Sequence, residues 1–298
     1  MTWTCAVCAG DQATPRWQVT STDTENGVAA DAFRPSADRF GETVAAVVTC
    51  TACGHMSLSE RPSDAAIAAA YGDAVDEVSL DEERGQVETA RRALTLLERS
   101  ASPGALLDVG CWTGSFLVAA AERGWQPHGV EPSQWAVGRA HERGLGDVRL
   151  GGLEDATGSY RAVVICDVLE HLLDPADAAS ALFRLLDPGG VLLITVPDAG
   201  SRLATLMGRR WWSILPMHVQ YFTRRSLQRL LTDAGLEVVT VQSHPKVFTV
   251  EYYANRLGGY SALAARAVVA VARVVRVDKR LVAPDFHDRM LVVARRPA

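Results

Sequence analysis

Long apolar runs are absent from this sequence. No uninterrupted apolar stretch reaches about 18 residues, the length that a membrane-spanning helix requires. The residues from Met1 to Cys5 also lack the charged start and apolar run that are typical of a signal peptide. We therefore expect a soluble cytoplasmic protein with no transmembrane segment.

A basic excess is absent as well. The 298 residues include 30 lysines and arginines against 35 acidic residues, for a formal net charge of −5. Because nucleic-acid-binding domains usually present a basic face, nucleic acid is disfavoured as a partner, although the composition still allows a local basic patch. The length and the 48% of hydrophobic residues are sufficient for a core domain of about 200 residues plus a smaller module.

Cysteine is scarce after residue 53, where only Cys111 and Cys166 remain, both in apolar stretches typical of strands. The other four cysteines form two Cys-x-x-Cys pairs, and two such pairs complete a tetrahedral four-sulfur shell that suits zinc. In a reducing compartment this spacing indicates metal rather than disulfides. The predicted ligands of a closed, structural zinc site are Cys5, Cys8, Cys50 and Cys53. A set of reduced or redox-active thiols is the alternative.

The two cysteine pairs are separated by 41 residues, more than the usual spacing of about 15–20. We therefore expect a small hairpin between them, with a strand over Thr43–Thr49 that leads into the second pair. Gly10 and Gly54 follow the two pairs, where tight turns need a positive φ.

From residue 105 onward the pattern alternates between strands and helices. Leu106–Gly110 is predicted to be a strand, Ser115–Arg123 a helix and Pro127–Glu131 a second strand. The alternation predicts an α/β fold with a mostly parallel sheet and helices on both faces. The other predicted elements are helices Ala65–Tyr71, Asp81–Ser100, Ser133–Arg143, Pro175–Leu186 and Arg225–Ala234, and strands Val148–Leu150, Ala162–Val168, Val191–Val196, Glu237–Gln242 and Arg289–Ala294.

The turn after the first strand and the acid after the second predict a site for an adenosine-containing cofactor. Gly110 and Gly114 let the backbone approach a ligand, and Glu131 follows Gly110 by 21 residues, where an acid accepts hydrogen bonds from ribose hydroxyls. A dinucleotide fits less well, because it requires Gly-x-Gly-x-x-Gly and a pyrophosphate site at the start of the helix.

These motifs, with those downstream, resemble the class I S-adenosylmethionine-dependent methyltransferases. The resemblance covers residues 60–298 and implies a Rossmann-like sheet whose last strand is antiparallel. It rests on Asp108-Val109-Gly110-Cys111-x-x-Gly114, Glu131, Asp167-Val168-Leu169-Glu170-His171, Leu186-Asp187-Pro188-Gly189-Gly190, Val196-Pro197, His218-x-x-Tyr221-Phe222-Thr223 and Leu231-x-x-Ala234-Gly235-Leu236.

The resemblance implies which residues hold S-adenosylmethionine. The first loop holds the methionine part, Glu131 the ribose, and Leu153 and Glu154 flank the adenine, with Asp155 as a further candidate. Tyr71 covers the cofactor, and Asp167 contacts cofactor or substrate. The implied cofactor residues are Tyr71, Asp108, Gly110, Cys111, Trp112, Thr113, Gly114, Glu131, Pro132, Leu153, Glu154 and Asp167.

One residue departs from the family pattern. Trp112 stands where the family has a second glycine in the loop. Because a bulky side chain lacks the freedom of glycine at positive φ, we expect either a negative φ at Trp112 or an indole that points outward.

The cysteine-rich module joined to this core resembles a bacterial subgroup that acts on sugars, glycan precursors and natural-product intermediates. We therefore expect a methyltransferase for a small molecule. The alternative is an RNA methyltransferase that binds nucleic acid through its zinc module. Against it stand the acidic balance and the sequence Asp167-Val168-Leu169, where amino-methylating enzymes of nucleic acids have an Asn-Pro-Pro-Tyr type of motif.

The candidate catalytic residues are His171 and His218, since histidine titrates near neutral pH and can act as a general base. A structural role is the alternative for each. Glu170 and His171 together would also suit a divalent ion. Three aromatic residues would either line an acceptor site or pack in the core: Trp211, Trp212 and Tyr221.

Three segments follow from these assignments. Residues 1–60 form the zinc module, 61–104 a helical connection that covers the cofactor, and 105–298 the methyltransferase domain, with insertions at 198–222 and 244–287. In the second insertion, Ser261–Val277 is rich in alanine and valine, and its spacing places Arg266, Arg273 and Arg276 on one helical face. This helix is predicted to cap the fold or form a homodimer, or to contact an anionic membrane or lipid-linked substrate.

Overall fold

A computed structural model describes residues 3–18, 20–21, 39–63, 72 and 74–298 of the chain. The predicted helix Ala65–Tyr71, and with it the candidate Tyr71, lies outside the described residues. The strands are β1 Ala13–Trp17, β2 Thr20–Ser21, β3 Glu42–Thr43, β4 Val47–Cys50, β5 Met56–Leu58, β6 Ala105–Val109, β7 Gln126–Glu131, β8 Val148–Leu150, β9 Tyr160–Cys166, β10 Leu186–Pro197, β11 Gln220–Tyr221, β12 Glu237–Ser243, β13 Phe248–Thr249, β14 Leu281–Val282 and β15 Arg289–Arg295. The α-helices are α1 Glu83–Leu97, α2 Ser115–Ala121, α3 Gln134–Glu142, α4 Pro175–Leu185, α5 Arg202–Met207, α6 Arg224–Asp233, α7 Val250–Arg256 and α8 Ala262–Val274.

A seven-stranded sheet forms the centre of the fold, in the order β12-β15-β10-β9-β6-β7-β8. Strands β6 to β10 run parallel to one another, whereas β15 runs antiparallel to both β10 and β12. The Rossmann-like α/β fold with its antiparallel last strand is therefore confirmed. Among the described residues, no helix combines the length and apolarity needed to cross a bilayer.

Both faces of this sheet are buried under helices, which explains the nearly continuous apolar sequence of its inner strands. On one face, Leu107, Ile165 and Leu192 pack against α4 and α6. On the other face, Leu106, Val164 and Leu193 pack against α1, α2 and α3. Since the parallel strands end at one edge, the loops after β6, β7, β9 and β10 meet there.

A second sheet, in the order β1-β4-β5-β11, joins the beginning of the chain to the insertion at 198–222. Strand β11 pairs with β5 through Gln220 opposite Ser57 and Tyr221 opposite Met56. The sheet covers a core that contains Trp17 and the fully buried Trp211. The amino-terminal strands and the segment that contains β11 are therefore one structural unit.

The predicted strand over Thr43–Thr49 is confirmed only in its second half, where β4 leads into the second cysteine pair. Its first half is wrong, because β3 ends at Thr43 and the chain bends at residues 44–45. The Thr43 hydroxyl donates to the carbonyl of Ala45 and closes this bend. Such local bonds from threonine compete with strand pairing, which the apolar pattern of the segment does not show.

Candidate active site

The loop after β6 takes a left-handed backbone at three positions, Gly110 (φ +70°), Trp112 (φ +49°) and Gly114 (φ +80°). A Cβ at Gly110 would lie only 2.5 Å from a methyl carbon of Val168, so glycine is required there by space as well as by φ. Of the two expected alternatives at Trp112, the negative φ is wrong. Its indole N–H donates to Ser79 Oγ at 3.1 Å, and its ring lies 5.4 Å from that of Trp135.

Glu131 ends β7 directly opposite this loop. Its carboxylate accepts hydrogen bonds from the backbone N–H groups of Trp112 and Ser133, both at 2.8 Å. Burial raises the pKa of Glu131 to about 7, although the two N–H donors act in the other direction. Burial, and then the charge of Glu131, raise the pKa of Asp108 well above its usual range. Two carboxyl groups that prefer protonation thus lie beneath the loop.

The turn after β8 lies along the same cavity. Leu153 and Glu154 line it from a short 3-10 helix over Leu153–Asp155. The Asp155 carboxylate instead accepts from the backbone N–H of Gly152 at 2.9 Å and fixes the turn. Gly152, Leu153 and Glu154 are therefore the residues of this turn that line the cavity.

Asp167 follows β9 in a left-handed conformation (φ +58°) and is held by two cations. Lys246 Nζ lies 2.7 Å from one carboxylate oxygen, and the Arg289 guanidinium lies 2.6 Å from the other. Burial opposes ionisation, but the positive charges of Arg289 and Lys246 hold the Asp167 pKa well below its usual range. Asp167 is thus a fixed negative charge in the wall of the cavity.

His171 and His218 are distant in sequence, but their ring centroids lie 4.8 Å apart. His171 Nδ1 lies 3.1 Å from the carbonyl of Met217, and His218 Nδ1 lies 2.7 Å from that of Ser213. Because a carbonyl accepts only from N–H, the bond to Ser213 places the proton of the neutral His218 ring on Nδ1 and leaves its Nε2 unprotonated. Both histidines are buried in the wall of the cavity.

Burial lowers the pKa of His171 to about 4 and holds that of His218 well below its usual range, where the proximity of His171 adds to the effect. Both rings are therefore neutral near pH 7. Glu170 lies beside them, and its carboxyl pKa is raised to about 8 by burial and then by the charge of Asp167. One ligand atom from each of Glu170, His171 and His218 falls within 4.8 Å of the others, so this trio could hold a divalent ion.

The four amino-terminal cysteines meet in a second cluster, at the end of the smaller sheet. Their sulfur atoms all lie within 4.8 Å of one another, with 3.6 Å between Cys5 and Cys53 and between Cys8 and Cys50. A disulfide would require about 2 Å, whereas a tetrahedron of sulfurs around zinc places them about 3.8 Å apart. The donor set therefore fits a zinc ion. His55 lies outside it, with Nε2 2.9 Å from Gln220 Oε1.

The turns beside the cysteines differ from the expectation in one place. Gly54 has the expected positive φ of 74°, but Gly10 does not. The neighbouring Ala9 takes that conformation instead, with a φ of 56°. A Cβ at Gly10 would make only ordinary van der Waals contacts with the sulfurs of Cys8 and Cys50, at 3.4 and 3.5 Å, so neither φ nor space requires glycine there.

Comparison with known proteins is consistent with this geometry. Residues 82–241, just over half of the chain, match a protein family described as a methyltransferase domain. The chain belongs to this methyltransferase family. The match spans the loop after β6, Glu131 and both histidines.

Two relatives show how far the similarity extends. The methyltransferase is 31% identical over 216 residues to an uncharacterized 37.1 kDa protein in a transposon of Streptomyces fradiae, covering 65% of this chain and 62% of that protein. It is 30% identical over 167 residues to a ubiquinone biosynthesis O-methyltransferase of Thiobacillus denitrificans, covering 49% of this chain and 72% of that one. The chain thus spans less than two thirds of the first of these relatives.

Similarity to a solved structure supports the fold but carries no information about activity. That structure is the complex between the Haloferax volcanii Trm112 methyltransferase activator and a putative methyltransferase. Its TM-score is 0.53 at 18% identity, with 72% of this chain and 91% of that chain covered.

A single cavity of about 1490 Å³ brings most of the predicted residues of the methyltransferase together. Of the aromatic candidates, Trp212 lines the cavity, whereas Trp211 and Tyr221 are buried in the core of the smaller sheet. The predicted residues that line it are Asp108, Gly110, Cys111, Trp112, Thr113, Glu131, Pro132, Leu153, Glu154, Asp167, His171 and His218. Gly114 shapes the loop without lining the cavity.

Sequence reasoning missed the two cations on Asp167. Arg289 appeared only as the start of a predicted strand, and Lys246 only as part of an insertion. One signal was present: the chain has only two lysines, Lys246 and Lys279, among its 30 basic residues. Nearly all basic residues of this methyltransferase are arginines, and one of its two lysines lines the cavity.

Proposed function

We propose that this methyltransferase transfers a methyl group from S-adenosylmethionine to a small molecule, namely a sugar, a glycan precursor or a natural-product intermediate. The observation that carries the proposal is the shared cavity. The glycine loop, Glu131, His171 and His218 all line it. Its volume exceeds the roughly 300–1,000 Å³ of a pocket for one drug-sized ligand. The cavity therefore has room for the cofactor and the acceptor at the same time.

The cofactor occupies the side of the glycine loop. Glu131 accepts hydrogen bonds from the ribose hydroxyls, Leu153 and Glu154 flank the adenine, and the backbone from Gly110 to Gly114 holds the methionine part. This arrangement is supported by the hydrogen bond from the Trp112 N–H that joins the loop to Glu131, and by the position of Glu131 at the carboxyl end of β7. The methyl group would then face the wall that contains Asp167.

The acceptor occupies the side of the histidines. A lone pair of its oxygen or nitrogen forms a bond to the methyl carbon while the carbon–sulfur bond breaks, and the products are the methylated acceptor and S-adenosylhomocysteine. Where the acceptor is a hydroxyl, His171 or His218 takes its proton. The low pKa of each ring keeps it neutral near pH 7, the form in which an imidazole can accept a proton.

Replacing His171 with asparagine, or His218 with asparagine, is expected to lower the turnover number about a hundredfold, the usual contribution of a general base. The dissociation constant of S-adenosylmethionine is expected to stay within about twofold, because neither ring lies on the cofactor side. Steady-state kinetics and calorimetry measure the two quantities, and His128→Asn on β7 is the matched control. An unchanged turnover number for both variants would rule out the catalytic role.

A role in metal binding, the alternative for these residues, is tested with a chelator. If Glu170, His171 and His218 hold a divalent ion, turnover is lost after treatment with a chelator and returns on addition of Mg²⁺ or Mn²⁺. If they act as bases, the chelator leaves turnover unchanged.

Cofactor affinity is expected to depend on pH through Glu131. The free enzyme has a Glu131 pKa of about 7, whereas ribose hydroxyls donate to the ionised carboxylate and lower this pKa in the complex. Binding then requires loss of a proton below pH 7, so the dissociation constant rises by about tenfold from pH 8 to pH 6. Calorimetry at these pH values measures the rise, and a flat profile in Glu131→Gln assigns it to this residue.

For the amino-terminal cluster we propose a structural zinc ion in residues 1–60, held by Cys5, Cys8, Cys50 and Cys53. Residues 61–104 connect this module to the domain at 105–298, with insertions at 198–222 and 244–287. The zinc ion would fix the ends of β4 and β5 and, through them, the pairing with β11. A closed four-sulfur shell offers no open coordination position to a substrate.

The acceptor class is tested by a turnover screen with nucleotide sugars, glycosides, lipid-linked acceptors and total RNA, using S-adenosylmethionine with a tritiated methyl group. We expect label in one of the small-molecule classes. Label in RNA, together with salt-dependent RNA binding, would overturn the proposal in favour of an RNA methyltransferase.

A further inference from the structure

Helix α8 exposes an apolar face to solvent. Its buried residues are Ala265 and Ala272, which form a narrow stripe against the rest of the protein. On the opposite side Leu263, Val271 and Val274 are 79%, 63% and 83% exposed. A contiguous apolar face of this kind on a helix usually marks a surface that contacts a protein or a membrane.

The charge on this helix is of one sign. Residues 262–277 contain three arginines and no acidic residue, although the whole chain has a net charge of −5. Arg266 lies one turn or less from the apolar face, and Arg273 also bonds to Glu251 on α7. Arg276 lies beyond the end of the helix with a φ of 59°, so the predicted row of three arginines on one helical face is wrong for this residue.

This charge pattern favours an anionic surface over a second copy of the chain. In a symmetric dimer the same patch faces itself, which would bring the arginines of both helices into one interface with no acidic residue of residues 262–277 to pair with them. Like charges brought together in this way oppose association. An anionic lipid surface instead attracts each arginine while the apolar face enters the boundary between headgroups and acyl chains.

The apolar face continues into the cavity. Val268 on α8 and two residues of the preceding turn, Leu257 and Tyr260, are each about two-fifths exposed and also line the cavity. Trp212 and Phe286 line it as well, with ring centroids 5.3 Å apart. An apolar path therefore joins the outer face of α8 to the site proposed for the acceptor.

We propose that α8 lies on an anionic lipid surface and that the acceptor, a molecule with an apolar tail, enters the cavity from that surface. The second part rests on the methyltransferase activity proposed above. The first part depends only on the outer face of α8.

The test uses the full-length protein and vesicles of phosphatidylglycerol in phosphatidylcholine, with pure phosphatidylcholine vesicles as the uncharged control. Flotation is expected to recover the protein with the anionic vesicles only. The triple variant Leu263→Ser, Val271→Ser, Val274→Ser is expected to bind more than about tenfold less tightly. Leu206→Ser is the matched control, since Leu206 is equally exposed but lies on α5.

Charge is tested separately. Arg266→Glu is expected to weaken binding to the anionic vesicles by at least about fivefold, the contribution of one positive charge near such a surface. Arg225→Glu, an exposed position on α6, is expected to leave binding unchanged.

Three results would overturn the proposal: no flotation of the unmodified protein, equal flotation of the triple variant, or a dimer in sedimentation that the triple variant converts to a monomer. Calorimetry with S-adenosylmethionine on the same samples keeps the two proposals apart. Loss of vesicle binding with intact cofactor binding contradicts only the role of α8. Intact vesicle binding without cofactor binding contradicts the assignment of the cavity.

Discussion

The Glu131→Ala variant is expected to bind S-adenosylmethionine about a hundredfold less tightly. The side chain is buried and accepts from the N–H groups of Trp112 and Ser133, which its removal leaves without this acceptor. The ribose hydroxyls lose the same carboxylate. Hydrogen bonds to a charged group contribute about 1.5–3 kcal/mol each, so two lost ribose bonds at the lower end of this range account for a change of this size. Isothermal titration calorimetry measures it directly.

Glu131→Gln is the conservative comparison. The amide keeps one oxygen as acceptor and preserves the shape of the site, so its loss of affinity is expected to be about tenfold. Glu122→Ala serves as the matched control, because Glu122 is exposed beyond the end of α2 and pairs with Arg91. If Glu131→Ala folded normally and bound the cofactor within twofold of the unmodified protein, the ribose assignment would be wrong.

The Cys5→Ser variant is expected to lose its zinc ion, part of its thermal stability and most of its methyl transfer. Three thiolates hold zinc much less tightly than four, and binding of a structural zinc ion contributes directly to folding, by roughly 10–16 kcal/mol in isolated zinc fingers. Cys5 and Cys53 belong to the same buried core as Phe222 and Leu227, close to the histidine wall of the cavity. Metal analysis, calorimetric unfolding and turnover measure the three effects.

Cys53→Ser is expected to behave in the same way. Cys166→Ser is the control for metal content, since Cys166 lies in β9, far along the chain from the cluster, and its replacement leaves the four ligands intact. A purified protein without zinc, together with a Cys5→Ser variant of unchanged stability, would contradict the metal site.

Much of the larger sheet was predictable because its signals are local. Apolar runs such as Leu106–Val109, each followed by a turn and a helix, specify strand and helix in order, and the final strand Arg289–Arg295 lies within one residue of its prediction. Glu131 was predictable for the same reason, since one strand and one turn fix its position relative to Gly110.

The features that sequence reasoning missed depend on contacts between distant segments. The left-handed backbone at Trp112 is stabilised by Ser79, 33 positions away, through the indole N–H. The pairing of Asp167 with Lys246 and Arg289 joins residues from three parts of the chain. No periodicity or short motif encodes such pairs, so they appear only when the sheet is assembled.

The pairing of β5 with β11 can form only late in synthesis, long after β5 has been made. His55 and Gln220, which bond across these strands, are 165 positions apart in the chain. At about 5–20 residues per second, a ribosome needs roughly 10–30 s to extend the chain from one to the other. During that interval β11 has not yet been synthesised, so β5 lacks this pairing partner. Early capture of a metal ion by the four thiols would hold the amino-terminal strands together until the partner strand emerges.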